Sequence, residues 1–182
     1  MQMNNALVWI DLEMTGLDAV NDVILEAAVL ITANDLSLIA QGPSIIIHQP
    51  EEKLAHMSTW VREQHTKSGL LDAVRASSIT QQEAQAMLLE FVTQYTKPQT
   101  ALLAGNSIWQ DRFFLRMHMP ELERYFHYRI LDVSSIKEVV RRWYPQSPYI
   151  SYKKSDTHRA LEDIQESVNE LQHYKKHFFI EV

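Results

Sequence analysis

The 182-residue chain has no cysteine, only four glycines and six prolines, and no excess of basic residues. Without cysteine there can be no disulfides and no thiolate-ligated zinc. Scarce glycine and proline beside 46% hydrophobic residues exclude a low-complexity or disordered chain and suit one domain with a sizeable core. No stretch reaches the roughly 18 apolar residues of a membrane span, and no charged-then-apolar leader opens the sequence. The expectation is a cytoplasmic protein with no membrane partner. Seventeen Lys and Arg stand against 23 Asp and Glu, a net charge of −6. Proteins that grip long nucleic acid draw affinity from counterion release by many basic residues. This charge points away from long duplexes and toward small partners that need few contacts.

What the sequence does hold is acid in unexpected places. In Leu7-Val-Trp-Ile-Asp-Leu-Glu-Met-Thr-Gly-Leu17, a β-forming apolar run carries Asp11 and Glu13 two residues apart. Side chains alternate along a strand, so both acids share a face. An apolar run without alternation reads as a strand covered on both sides, where charge is costly unless paired or metal-bound. Hard oxygen donors without cysteine favour Mg²⁺ or Mn²⁺ over zinc. The alternative is a strand that ends at Ile10, followed by two solvated loop acids. Glu26 interrupts a second such run, Val23-Ile-Leu-Glu-Ala-Ala-Val-Leu-Ile. A hydrogen-bonded partner is expected for it rather than a metal.

Two further segments carry acids at helix starts. Strand-like Leu102-Leu-Ala runs into the Gly105-Asn106-Ser107 turn and then a helical segment that places Asp111 in its first or second turn. By itself this acid could be a macrodipole partner. Near the end, Leu161, Ile164, Val168, Leu171 and Tyr174 recur at helical spacing, with Asp156 or Thr157 as the expected N-cap. His158 and Asp163 are separated by about 500° of helix, so they would not share a face if both were helical. His158 is therefore expected on a loop before the cap and Asp163 one turn inside, where a solvated acid is the alternative. His173 and His177 lack a third ligand and read as a solvated helix face.

The order Asp-x-Glu, Asp, His-x4-Asp resembles the DEDDh 3′→5′ exonucleases. The words Trp9-Ile-Asp-Leu-Glu-Met-Thr-Gly-Leu, Gly105-Asn-Ser-Ile, Tyr128-Arg-Ile-Leu-Asp-Val-Ser and Thr157-His-Arg-Ala-Leu-Glu-Asp-Ile are similar to oligoribonucleases. The likeness runs from about residue 6 to residue 180, which implies a single exonuclease domain over 1–182. It implies two divalent cations, Mg²⁺ or Mn²⁺, held by Asp11, Glu13, Asp111 and Asp163, with His158 as general base in hydrolysis of a phosphodiester. It implies substrate contacts from Leu17, Trp60 and His65. It also implies a 5′-phosphate cap from Ser107, Ser134 and Ser135, and Tyr128 and Arg129 supplied by the second subunit of a homodimer. The expected substrate is very short single-stranded RNA, cut to nucleoside 5′-monophosphates. From the residues alone, Leu17 could be an ordinary exposed leucine, Tyr128 a core strand residue, and Trp60 and His65 the core and surface residues of one helix. Trp109 departs from the pattern, which implies a small residue beside Asp111.

The layout fits an α/β fold, a ribonuclease H-like mixed β-sheet flanked by helices. Strand 6–13 and apolar segments 22–32 and 36–48, with a turn at Ala33-Asn-Asp, open an antiparallel meander. Thr80-Gln-Gln-Glu83 is a capping box before a helix with Ala84, Met87, Leu88, Phe91, Val92 and Tyr95 on one face, closed near Pro98. Strand 100–104, strand 128–132 and helix 134–144 supply crossovers, and 145–157 reads as a loop. The same residues would also serve an exonuclease for longer RNA or DNA, for which a basic groove is expected. An inert nucleotide-binding module and a metal-dependent phosphatase are the alternatives outside the nuclease class.

Overall fold

The computed structural model describes residues 6–152 and 159–180. Its centre is the first acidic strand, β1 (Leu7–Met14). β2 (Ile24–Thr32) and β3 (Leu38–Ile46) follow in antiparallel pairing, and β4 (Leu102–Gly105) and β5 (Ile130–Asp132) lie parallel on the other side, giving the order β3-β2-β1-β4-β5. All nine residues of β2 are buried, Glu26 and Thr32 included.

Alternation along β1 sorts its side chains between two helical layers. Val8, Ile10 and Leu12 join the core formed with α4 (Gln81–Tyr95), α5 (Ile108–His118) and α6 (Pro120–Tyr125). Leu7 and Trp9 join the opposite core, under α7 (Val133–Trp143) and α8 (Ala160–Phe178). Asp11 and Glu13 continue the Leu7-Trp9 face toward α8. A third cluster packs Leu25 and Val23 beneath α1 (Glu51–Leu54), α2 (Thr59–Lys67) and α3 (Leu70–Ala76).

Several expectations shift in detail. The capping box forms, with Thr80 N donating to Glu83 at 2.7 Å and Glu83 N to Thr80 Oγ1 at 3.2 Å. Met87 lies exposed at the edge of its helix instead of on the buried face. The β2–β3 connection is longer than the Ala33-Asn-Asp turn, because Leu36 adopts a left-handed φ of 76° to bury its side chain. β5 is shorter than 128–132, and Tyr128 and Arg129 fall outside it. The last helix begins at Ala160, capped by Arg159 without a side-chain bond, whereas Asp156 and Thr157 lie outside the described residues.

Candidate active site

Asp11 and Glu13 project from β1 toward the first turn of α8, which carries Asp163. One carboxylate oxygen from each of the three lies within 4.8 Å of the others. All three are half-buried, so their repulsion is only partly screened. Burial, then the charges of Asp163, Glu26 and Asp111, push the Glu13 carboxyl up to about 8, with Arg159 opposing them. Three hard oxygen donors converging where ionisation is resisted suit a divalent cation, which would supply the missing positive charge.

Asp111 approaches from the other side of β1. It sits in the first turn of α5, buried, and its Oδ1 accepts the Leu12 N–H at 3.0 Å. Burial raises it to about 7, against the lowering effect of the Leu12 bond. It contributes to the field at Glu13 but is not among the three that converge within 4.8 Å. Glu26 faces Glu13 across the β1–β2 ladder and has the partners expected of it. Ser44 Oγ donates to it at 2.5 Å, and Arg159 donates from Nε and from a terminal nitrogen at 3.2 and 3.1 Å.

A cleft of about 770 Å³ opens beside Glu13, lined by Gly16, Leu17, Trp60 and His65 among others. Leu17 and Trp60 are 73% and 63% exposed. The position of the Leu17 loop is held by hydrogen bonds. Thr15 Oγ1 and Asp18 N donate to Asp22, and Gln110 Nε2 donates to the Leu17 carbonyl at 2.6 Å. His65 is buried, not a surface residue. Its Nε2 lies 2.9 Å from the Met14 carbonyl and its Nδ1 3.8 Å from Glu13.

Ser107 and Ser134 meet where α5 and α7 begin. Their hydroxyls are 3.1 Å apart, Ser107 N donates to Ser134 Oγ at 2.9 Å, and the Asp132 carboxylate accepts from both backbone N–H groups. Ser135 is exposed on the next residue of α7. Tyr128 is 72% exposed with the Arg129 guanidinium 5.3 Å from its ring centre, so it is not a core strand residue. Trp109 faces a separate cleft with Arg112, Phe113, Arg116 and Tyr128. Its bulk therefore alters the surroundings of Tyr128 and not the carboxylate cluster. His173 and His177 are half-exposed on α8 beside Tyr149, which stacks on His177 at 3.9 Å and whose carbonyl lies 2.7 Å from His173 Nε2. His158 lies outside the described residues.

A model of the exonuclease family, RNase_T, matches residues 8–171. The oligoribonuclease of Pseudomonas paraeruginosa is 53% identical over 178 residues, covering 98% of both chains. The chain belongs to the oligoribonuclease family of exonucleases. The human mitochondrial oligoribonuclease is 51% identical, covering 97% of this chain and 75% of that one. Beyond the family, the fold is shared with exonuclease I. The Escherichia coli enzyme solved with a 5cy-dT13 oligonucleotide gives a TM-score of 0.72 at 13% identity, covering 98% of this chain and 42% of that one. The Methylocaldum szegediense exonuclease I gives 0.71 at 15%, covering 95% and 41%. The chain thus spans about two fifths of the length of those exonuclease I chains. Arg159, Asn106, Gln110 and Arg112 were not singled out from the sequence of this family member. Only the Gly-Asn-Ser turn and adjacency to Asp111 mark three of them, and nothing local marks Arg159.

Proposed function

We propose that the chain is a 3′→5′ exoribonuclease that degrades very short RNAs to nucleoside 5′-monophosphates. The observation that carries this reading is the convergence of Asp11, Glu13 and Asp163 beside a cleft with exposed Leu17 and Trp60. Asp11, Glu13, Asp111 and Asp163 would hold two divalent cations, Mg²⁺ or Mn²⁺. Bound there, the cations neutralise charge on the attacked phosphate and make a water acidic enough to deprotonate near neutral pH.

The P–O3′ bond breaks as water oxygen adds to phosphorus, leaving a 3′-hydroxyl on the shortened strand and the 5′-phosphate on the departing nucleotide. His158 accepts the water's proton, a role for which the unperturbed histidine pKa of about 6.5 suits neutral pH. Leu17 and Trp60 offer apolar and aromatic surface to the bases, where stacking is worth about 1–3 kcal/mol per base, and His65 fixes the Met14 end of the cleft. Ser107, Ser134 and Ser135 cap the 5′-phosphate. With both backbone N–H groups already given to the Asp132 carboxylate, the exposed hydroxyls of Ser107 and Ser135 are the donors it meets, beside Ser134. Tyr128 and Arg129, projecting into solvent, reach the site of a second subunit in a homodimer. The cysteine-free composition is consistent with the cytoplasm, and no helix among the described residues is long and apolar enough to cross a membrane.

Incubation of the purified protein with a diribonucleotide and Mn²⁺ is expected to release nucleoside 5′-monophosphate, and a chelator to stop it. Release of a nucleoside 3′-phosphate, or binding without cleavage, would overturn the reading.

A further inference from the structure

The serine pair is not isolated. Ser134 Oγ donates to Asn106 Oδ1 at 3.1 Å, and the Asn106 amide nitrogen donates to Ser167 Oγ at 2.9 Å and to Glu170 Oε2 at 3.0 Å. Glu170 is completely buried and paired with Lys137 at 2.7 Å. An ionised carboxylate only accepts, so Glu170 fixes which end of the Asn106 amide is nitrogen and which is oxygen. Ser167 Oγ in turn donates to the main-chain carbonyl of Asp163 at 2.8 Å. One amide thus joins the serine pair to the turn of α8 that carries a carboxylate of the metal cluster.

Proton counting gives this chain a direction. Ser134 has one hydroxyl hydrogen, and Asn106 Oδ1 takes it. Ser134 Oγ is then an acceptor toward Ser107, and the Ser107 hydroxyl is the donor between them. Only by turning from Ser134 can the exposed Ser107 hydroxyl give that one hydrogen to an incoming anion instead. Both amide hydrogens and the oxygen of Asn106 are already used within the protein, so it has no part in contacting substrate.

We propose that Asn106 is a positioning residue that orients the Ser134–Ser107 pair and registers it against α8, so that recognition of a 5′-phosphate is tied to the placement of Asp163. The inference rests on the proposed 5′-phosphate cap and deepens it. It assigns substrate-length discrimination to a residue that touches neither phosphate nor metal.

The test compares a diribonucleotide with and without a 5′-phosphate, using the full-length protein and Mn²⁺. Wild type is expected to show the lower KM for the phosphorylated form. Asn106→Ala is expected to lose that preference by roughly tenfold, the scale of one hydrogen bond to a charged group, through KM on the phosphorylated substrate alone. Turnover of the unphosphorylated dinucleotide stays within about twofold. Ser134→Ala is expected to lose the same preference, and the double variant no more than either single one, because both act through one contact. An unchanged preference in Asn106→Ala, or equal losses on both substrates, overturns the inference. A wild-type enzyme indifferent to the 5′-phosphate overturns the cap itself. If Asn106→Ala does not fold, Ser167→Ala removes one acceptor of the same amide with little change in volume. It is expected to lower the preference in the same direction, and full preference there overturns the coupling to α8.

Discussion

At the scale of single residues, the site sets like charges against one another, an arrangement that a bound divalent cation would reconcile. Asp11→Ala is expected to lose both Mn²⁺ binding and turnover, whereas His158→Ala is expected to keep Mn²⁺ binding and lose turnover by about 10²–10⁴-fold. Calorimetric titration with Mn²⁺ beside a dinucleotide assay separates the two, and full turnover in His158→Ala would remove the general base. The raised Glu13 carboxyl has a pH consequence in the metal-free protein. Between its ordinary value of 4.5 and about 8, the folded form keeps a proton that the unfolded chain has released. Raising pH through that window therefore costs stability, and above about 8 the full cost is present. A chelator-treated sample is expected to lose Tm across this range, less steeply when Glu13→Gln removes the titration or Mn²⁺ displaces the proton. An equal slope in wild type and Glu13→Gln would show that Glu13 is not the group responsible. Mn²⁺ affinity should rise over the same window, since binding must expel that proton.

At the scale of elements, three consecutive residues of α5 hold three parts of the site. Gln110 holds the Leu17 carbonyl, Asp111 the Leu12 N–H, and Arg112 the carbonyls of His127 and Tyr128 at 2.9 and 2.8 Å while pairing with Glu123. Successive helical residues point about 100° apart, which lets one turn reach all three directions. Arg112→Ala is expected to cost about 1–3 kcal/mol in chemical denaturation, because Glu123 keeps Arg116 but two carbonyls lose their donor. It should also raise the dinucleotide KM by loosening Tyr128, and unaltered stability would show the tether to be idle. Local patterns made much of this legible. The Asp11-Glu13 face follows from strand alternation, and the start of α4 from Thr80 and Glu83. The start of α8 was not legible. Its cap, Arg159, is engaged with Glu26, a partner 133 residues away that no local pattern reveals. The left-handed Leu36 was hidden for a similar reason, since only the burial of its side chain against the far layer explains it.

At the scale of the whole molecule, the proposal that Tyr128 acts in the site of a second subunit makes a specific demand. Asp11→Ala and Tyr128→Ala proteins, each nearly inactive alone, are expected to regain activity when unfolded and refolded together, because a mixed dimer rebuilds one complete site. No recovery on mixing, with dimers verified by sedimentation, would place Tyr128 in its own subunit's site. The acidic balance of the chain bears on the substrate, since few basic residues are available to track a long backbone. The most direct test is a time course with 5′-labelled RNAs from a dinucleotide to a strand of roughly twenty nucleotides, a length that would need several backbone contacts, with Mn²⁺, Mg²⁺ or a chelator. Metal-dependent cleavage that strongly favours the shortest RNA is the expected result. Equal or faster degradation of the long strand would contradict a capped site built for very short RNA.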